Sequence, residues 1–227
     1  MPRLDTKPKV LLFDVNETLL DLAPLKAKVG EALLDPHAAD LWFATLLQYS
    51  LAATVSGQYF AFPEIGAAVL RMLATRSDIA IGQDDAKQLL SAMKSLPAHR
   101  DVEPGLRRLR DAGFRLATLT NSSQEGVQAQ MAGAGLSAFF ERQLSVESVR
   151  KFKPHADVYA WAAREMQVPP ADCMLVAAHG WDVAGAQWAG MKAAFIARPG
   201  QHKFPLAPEP DADAADLMAL ADALGAR

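Results

Sequence analysis

The chain has 227 residues, of which 51% are hydrophobic and 22% are charged, and its formal net charge is -3. This composition is ordinary for a globular protein, and the slight negative charge excludes the basic footprint of a nucleic-acid-binding protein. No apolar run approaches the ~20 residues of a membrane span. Residues 1–9 lack a signal-peptide core, and the lone Cys173 fits a reducing compartment, so a cytoplasmic protein is expected.

The first part of the chain predicts one strand followed only by helices. Residues 9–14 form a short apolar run that ends in polar residues, as a buried strand does. Helices are predicted over residues 24–34, 38–55, 63–75 and 84–95. Asp35 is expected to cap the second of these helices, which is apolar nearly all round and so predicts more than one buried face. Residues 22–98 are therefore predicted to form an all-helical insertion.

Strands and helices alternate in the rest of the chain. Strands are predicted over residues 114–119, 143–146, 173–178 and 193–197. Helices are predicted over residues 104–112, 123–132, 154–166, 183–189 and 213–224. Such alternation indicates a parallel sheet with helices on both faces. We predict an α/β fold with a Rossmann-like core of residues 1–21 and 99–227 and a helical cap over residues 22–98.

Polar side chains follow each of the first four predicted strands. Because the carboxyl ends of parallel strands share one edge of the sheet, these side chains should meet where open α/β sheets bind ligands. They are Asp14, Asn16 and Thr18 after the first strand, Thr120 and Asn121 after the second, Lys153 near the third, and His179 and Asp182 after the fourth. One crevice is thus predicted to hold two acids, a hydroxyl–amide cluster and a cation.

This order of motifs resembles the haloacid dehalogenase superfamily over essentially the whole chain. The first motif of that superfamily is an Asp followed by a turn and Thr, and the second is a Ser or Thr at a strand end. The third is a Lys before a Pro, and the fourth is an acid after a strand. Asp14, Thr120, Lys153 and Asp182 match these positions in turn. The resemblance implies that Asp14 is a nucleophile.

Finer details are similar to the L-2-haloacid dehalogenase (type II) branch of the superfamily. Tyr159 stands six residues after Lys153, and Trp181 directly precedes Asp182, as in that branch. Phosphatases of the superfamily carry a second Asp two positions after the nucleophile, where this chain has Asn16. An amide cannot protonate a leaving alkoxide, whereas a halide departs as a stable anion. Carbon–halogen cleavage is therefore favoured over phosphoester cleavage.

Two positions depart from the pattern of this branch. His179 replaces an Asn, and alignment on Tyr49 and Ser50 puts Ala53 where the branch has a halide-binding Arg in the cap. These departures have three interpretations: the protein acts on a smaller halogen, it binds the halide in a different cradle built from His179 and cap aromatics, or it has a different substrate. For His179, a structural role and a direct catalytic role both remain open.

The resemblance implies a role for each site residue. Asp14 would attack the carbon that bears the halogen and form an aspartyl ester, while Lys153 keeps Asp14 ionised. Water would then attack the ester, aided by Asp182. His179 departs from the branch, but its imidazole suits the task of a base because the reference pKa of histidine is ~6.5. The substrate would be bound by Val15, Asn16, Thr18, Thr120, Asn121, Tyr159 and Trp181.

The predicted activity is the hydrolysis of short 2-haloalkanoic acids, fluoroacetate included, to 2-hydroxy acids without a metal or an organic cofactor. One alternative is a magnesium-dependent phosphatase of the same superfamily that uses Asp14 and Asp182 as metal ligands. The other alternative is a non-catalytic binding protein on this fold. A homodimer is also expected, because the helix around residues 41–55 has wider apolar coverage than one core-facing stripe needs.

Overall fold

A computed structural model describes residues 7–226 and shows a six-stranded sheet in which all neighbouring strands are parallel. Its strands are β1 (Val10–Phe13), β2 (Arg115–Thr120), β3 (Arg142–Ser145), β4 (Cys173–Ala177), β5 (Lys192–Ile196) and β6 (Ala212–Ala214). Their spatial order is β3-β2-β1-β4-β5-β6, so the chain order reverses at β1. The carboxyl end of β1 therefore lies where such sheets bind ligands.

The helices of the described residues fall into two groups. Four of them, α1 (Ala23–Ala32), α2 (Ala38–Val55), α3 (Phe62–Arg76) and α4 (Gln83–Leu90), lie between β1 and β2. The others alternate with the strands: α5 (Val102–Asp111), α6 (Gln124–Gly133), α7 (Ala156–Glu165), α8 (Gly180–Trp188) and α9 (Leu217–Ala223). The predicted Rossmann-like α/β core with an inserted helical segment is confirmed. None of these helices is long and apolar enough to cross a membrane.

The central strands are buried on both faces of the sheet. All four residues of β1 and all five of β4 are buried. A parallel strand covered by helices on both sides needs apolar residues at every position, which is why these strands read as continuous apolar runs. The first polar side chain after each run is therefore placed at the sheet edge.

The helical segment leaves and re-enters the core at one place. Leu20 and Ala98 pair as an isolated antiparallel bridge. The amide of Asp21 donates to the carbonyl of Pro97 at 2.8 Å, and the amide of His99 donates to that of Leu19 at 3.0 Å. Both connections thus lie side by side, directly after the turn that carries Asp14.

Two local predictions are wrong. The last helix was expected from residue 213, but residues 212–214 form β6, and α9 begins after its N-cap, Asp216. Three residues are too few to show a strand pattern, and this strand exists because it pairs with β5. The N-cap of α2 is His37 and not Asp35. The Asp35 carboxylate instead accepts from the amide of His37 at 2.8 Å.

Candidate active site

Asp14 follows β1 directly, and three side chains hold its carboxylate. Oδ1 accepts from Lys153 Nζ at 2.9 Å, while Oδ2 accepts from the Thr18 hydroxyl at 2.7 Å and lies 3.1 Å from His179 Nδ1. Burial raises the pKa of Asp14, but Lys153, His179 and Thr18 together outweigh burial and hold that pKa well below its usual range. Asp14 is therefore a buried carboxylate anion at the ligand crevice.

Lys153 bridges two carboxylates in the interior. Its Nζ lies 2.9 Å from Asp14 Oδ1 and 2.5 Å from Asp182 Oδ2. Burial lowers the pKa of Lys153, but Asp14 and Asp182 raise it above its ordinary value. Its backbone amide donates to Asn121 Oδ1 at 3.0 Å, which fixes the segment that carries the ammonium group. Lys153 thus balances the charge of both acids.

Asp14 and Asp182, which would be the metal ligands of a magnesium-dependent phosphatase, both bind the ammonium group of Lys153. Within residues 7–226, no group of three or more His, Cys, Asp or Glu side chains is arranged as a metal site. Lys153 supplies the positive charge that balances Asp14 and Asp182 in this structure.

Asp182 supports Lys153 from the first turn of α8. The N-cap of this helix is His179, so Asp182 lies inside its first turn. Its carboxylate accepts from Lys153 Nζ at 2.5 Å and from the Tyr159 hydroxyl at 2.6 Å. Burial raises the pKa of Asp182, as does the charge of Asp14, while Lys153 lowers it. Asp182 and Tyr159 thereby orient the ammonium group toward Asp14.

The turns after β1 and β2 meet beside Asp14. The Asn16 side chain donates to Ser122 Oγ at 3.3 Å and accepts from Gln130 Nε2 at 2.8 Å, which ties the two turns together. The Thr120 hydroxyl accepts from the Ser122 amide at 3.1 Å. Among the described residues, the amides of Val15 and Asn16 donate to no backbone carbonyl, so these amides remain available to an anion.

Glu17 lies in the same turn and was not among the predicted site residues. Its φ of 63° is in the left-handed region, which a Glu rarely adopts and which marks a constrained position. Its Oε2 lies 2.8 Å from His179 Nε2, and its Oε1 lies 2.5 Å from Lys26 Nζ. Burial raises the pKa of Glu17, but His179 and Lys26 outweigh burial and lower it.

His179 lies between two carboxylates and two aromatic rings. Burial lowers the pKa of His179, but the hydrogen bonds and charges of Asp14 and Glu17 outweigh burial and raise it to about 9. The ring stacks on Phe43 and Trp181, with centroid distances of 6.0 and 5.3 Å. His179 is therefore an imidazolium at neutral pH. Both ring nitrogens face carboxylates, so neither has an N–H free for a halide, contrary to the halide cradle expected of this residue.

The helical segment contributes Phe43 to the site and not Ala53. Phe43 stacks on His179, whereas Ala53 lines a groove of about 580 Å³ between α2 and α3. Ten residues along a helix correspond to nearly three turns and to a different face, which explains the separation of the two side chains. The position selected by the alignment on Tyr49 and Ser50 therefore does not line the site.

Arg198 holds the turn after β1 from the end of β5. Its guanidinium donates to the carbonyl of Thr18 at 3.1 and 3.0 Å and to both carboxylate oxygens of Asp101 at 2.7 and 2.9 Å. Asp101 also accepts from the amide of Leu217 at 2.8 Å. Arg198 was missed because only four strand ends were considered, and the same argument applied to the fifth strand would have found it.

Two cavities flank the turns that carry the site. One of about 510 Å³ is lined by Glu17, Lys26, Asp40, Phe43, His179, Trp181 and Gln201, among others. Another of about 270 Å³ is lined by Phe62, Leu90, Met93, Ser122, Ser123 and Gln130, among others. Asp14 itself is only 5% exposed. A carboxylate so enclosed is suited to a small substrate.

Comparison with known proteins identifies the family. Residues 8–190 match the haloacid dehalogenase-like hydrolases. The chain belongs to this family. A solved L-2-haloacid dehalogenase superposes with a TM-score of 0.89 at 28% identity and covers 97% of this chain and 100% of its own. A defluorinating L-2-haloacid dehalogenase superposes with a TM-score of 0.82 at 26% identity, covering 96% of each chain.

Characterised relatives point to the same branch of this family. An (S)-2-haloacid dehalogenase of Pseudomonas putida is 27% identical over 93% of this chain and 92% of its own. A haloacetate dehalogenase of Moraxella sp. (strain B) is 30% identical over 86% of this chain and 88% of its own. The predicted resemblance to the L-2-haloacid dehalogenase branch and the prediction of a hydrolytic enzyme are thereby confirmed.

Proposed function

We propose that this family member is a cytoplasmic hydrolytic dehalogenase that converts short 2-haloalkanoic acids, including haloacetates and fluoroacetate, to 2-hydroxy acids. The observation that carries this proposal is the buried set of Asp14, Lys153 and Asp182. It presents an ionised carboxylate at the ligand crevice and balances its charge with the protein's own ammonium group. Such a carboxylate is a nucleophile for displacement at carbon.

The first half of the reaction is an in-line displacement by Asp14. Among residues 7–226, Oδ1 accepts from Lys153 alone, whereas Oδ2 accepts from Thr18 and lies beside His179, so Oδ1 has the freer lone pairs. It attacks the carbon that bears the halogen, the halide leaves, and an ester forms on Asp14. The free amides of Val15 and Asn16, with the polar groups of Thr120 and Asn121, hold the substrate carboxylate near the start of α6, where an anion is favoured.

The surroundings of Asn16 argue against the phosphatase alternative. Its side chain is held by Ser122 and Gln130, and an amide supplies no proton to a leaving alkoxide. A halide leaves as a stable anion and needs no such proton. The missing acid is therefore compatible with dehalogenation, whereas a phosphatase would lack its proton donor.

Halide release tests this proposal directly. The protein is incubated with fluoro-, chloro- and bromoacetate and with both enantiomers of 2-chloropropionate, with and without EDTA. We expect halide and hydroxy acid in equal amounts, inversion at the chiral carbon, no effect of EDTA, and no turnover by the isosteric variant Asp14→Asn. Phosphatase activity that EDTA removes and Mg²⁺ restores would favour the phosphatase. Binding of haloacids without halide release would favour the binding protein.

We further propose that the active form is a homodimer in which α2 contributes to the interface. Its Leu41, Tyr49 and Val55 side chains are exposed, and Tyr49 lines the groove between α2 and α3 together with the exposed Phe60 and Met72. An extended apolar surface of this kind on an otherwise ordinary protein indicates an interaction site. A second copy of the chain is the partner that we propose for it.

A further inference from the structure

Hydrolysis of an ester on Asp14 requires a group that can take a proton from water. Asp182 is poorly placed for this task, because its side chain is fully buried and both of its oxygens are engaged, by Lys153 at 2.5 Å and by Tyr159 at 2.6 Å. A water molecule would have to displace one of these donors to reach it. The base is therefore a different group near Asp14.

His179 both contacts Asp14 and lines a cavity. Its Nδ1 lies 3.1 Å from Asp14 Oδ2, and its ring lines the cavity of about 510 Å³. Phe43 and Trp181 cover its two faces at interplanar angles of 28° and 27°, which fixes the plane of the ring. On the far side of the ring, Glu17 Oε2 lies 2.8 Å from Nε2 and accepts its hydrogen bond. Water entering this cavity would meet the His179 ring, which lies beside the Asp14 carboxyl group.

We propose that Glu17 and His179 form the base that hydrolyses the ester, and that ester formation on Asp14 converts His179 from the charged acid to the neutral base. This inference rests on the proposed function. It assigns proton transfer to His179 and makes Glu17 a positioning residue that acts through the imidazole ring.

The change of charge follows from the groups around the ring. In the free enzyme, the imidazolium faces two carboxylates, Asp14 and Glu17, and these two acids keep its pKa raised to about 9. The other charged groups nearby are Lys26 and Asp40 beyond Glu17, and Lys153 and Asp182 beyond Asp14. Alkylation makes Asp14 neutral while Lys153 stays charged. The imidazolium then loses one of its two stabilising anions, and its pKa falls.

The tautomer of the neutral ring is set by Glu17. Because the Glu17 carboxylate can only accept, the remaining proton stays on Nε2 and the lone pair of Nδ1 points toward Asp14. This is the arrangement in which a carboxylate orients a histidine base. A neutral residue at position 17 would lose this preference.

The protons balance over the cycle. Displacement of halide is followed by release of the Nδ1 proton to solvent, which is the net proton of the reaction. Water then adds to the ester carbonyl carbon while Nδ1 takes one of its protons. The bond between that carbon and the product oxygen breaks, and the product alkoxide takes the proton from Nδ1. The second proton of the water passes from the new Asp14 carboxylic acid to Nδ1, which restores the resting imidazolium.

Rapid-mixing kinetics with chloroacetate test the pair. In Glu17→Gln and His179→Asn, we expect a burst of about one chloride per active site, followed by turnover slowed about 10²-fold, as for loss of a general base. The ester should accumulate on Asp14, where the intact mass of the protein detects it. Glu17→Asp, which keeps the carboxylate, should recover part of the rate. Glu17→Gln should also move the acid limb of the pH profile for hydrolysis to lower pH.

A matched control separates this effect from a general change of charge. Asp40→Asn also replaces a carboxylate in the same cavity. Asp40 is paired with Lys26 and not with His179, so the turnover of this variant should remain that of the wild type. Chloride release slowed without a burst, or unchanged turnover in Glu17→Gln, would overturn the inference while leaving the proposed function intact. Absence of halide release from the wild type would overturn both. A cooperative urea unfolding transition establishes that each variant is folded. If His179→Asn does not fold, the kinetics of Glu17→Gln alone test the inference.

Discussion

At the scale of single residues, Asp14 belongs to a buried network in which acidic and basic side chains alternate. Lys153 links Asp14 to Asp182, and His179 links Asp14 to Glu17. Charges buried in this way stabilise little as a set, but the removal of one member leaves its partner uncompensated in a medium of low polarity. The site is therefore sensitive to any change that alters one charge alone.

The first prediction concerns Lys153. Lys153→Met should lower the free energy of unfolding by about 3–5 kcal/mol, because it leaves two buried carboxylates without their cation. Urea unfolding at neutral pH measures this loss. Lys151→Met, two residues earlier and on the surface, should change stability little, since exposed ion pairs contribute little. Equal losses in the two variants would contradict the buried charge network.

The second prediction concerns the pH dependence of stability through His179. Its pKa is about 9 in the folded protein, against 6.5 for an unperturbed histidine. A raised pKa stabilises the fold fully below 6.5, and this contribution is lost as the pH rises through 9. The urea midpoint of the wild type should therefore fall across this window more than that of His179→Gln. A wild-type midpoint that falls no more than that of the variant would show that the imidazolium is not stabilised.

The third prediction concerns the route of oxygen. In a single turnover in heavy-oxygen water, the label should enter the Asp14 carboxylate and not the hydroxy acid, because water attacks the ester carbonyl. Peptide mass spectrometry locates the label. Label found directly in the product of that first turnover would instead indicate attack of water on the substrate carbon.

At the scale of elements, the site depends on how α8 packs against the segment before α7. Gly185 allows this contact, since a Cβ there would lie 2.8 Å from Tyr159 Oη and would also collide with Pro154. Lys153 directly precedes Pro154, and Tyr159 orients Asp182. The spacing of these two helices therefore controls the position of the ammonium group.

The fourth prediction follows from this packing. Gly185→Ala should destabilise the protein by about 1–3 kcal/mol, as overpacking in a core does, and should lower turnover beyond the loss of folded protein. Urea unfolding and steady-state halide release on the folded variant measure the two effects. Wild-type values for both would mean that α8 shifts without disturbing Lys153.

The order of the elements could be predicted because polar residues in the sequence mark where the buried strands end. The apolar runs that become β1 and β4 end in Asp14 and in His179, so the sheet edge could be assigned before the fold was known. The start of α8 at Gly180 could not be predicted, because it depends on His179 acting as N-cap without a side-chain hydrogen bond. Strand β6 depends on its pairing with β5, which leaves no local pattern.

The site could be predicted in part for similar reasons. Residues at strand ends, such as Asp14 and Lys153, are recognisable because topology brings them together. Glu17 and Phe43 are not, because their roles depend on a left-handed backbone position and on which face of α2 meets the sheet edge. The wrong expectation for Ala53 has the same cause, since spacing along a helix does not identify the face that meets the site.

At the scale of the whole molecule, the fifth prediction concerns assembly. Light scattering at micromolar concentration should show a dimer. The double variant Val55→Lys and Phe60→Lys should be monomeric, because it places charges at the exposed end of α2 and in the loop that leads to α3. Leu206→Lys is the matched control, since Leu206 is 83% exposed and lies outside that region. A wild-type monomer would refute the proposed interface.

The stacking of His179 on Trp181 gives the enzyme an intrinsic optical reporter. A protonated imidazole in contact with an indole accepts an electron from its excited state and quenches its fluorescence, whereas a neutral imidazole does so far less. The ring centroids of Trp181 and His179 lie 5.3 Å apart, so the emission of Trp181 should brighten whenever the imidazole loses its charge. A single-turnover experiment would then follow the charge state by emission alone, without a label, and His179→Gln would identify the share of the signal that comes from this pair among the four tryptophans.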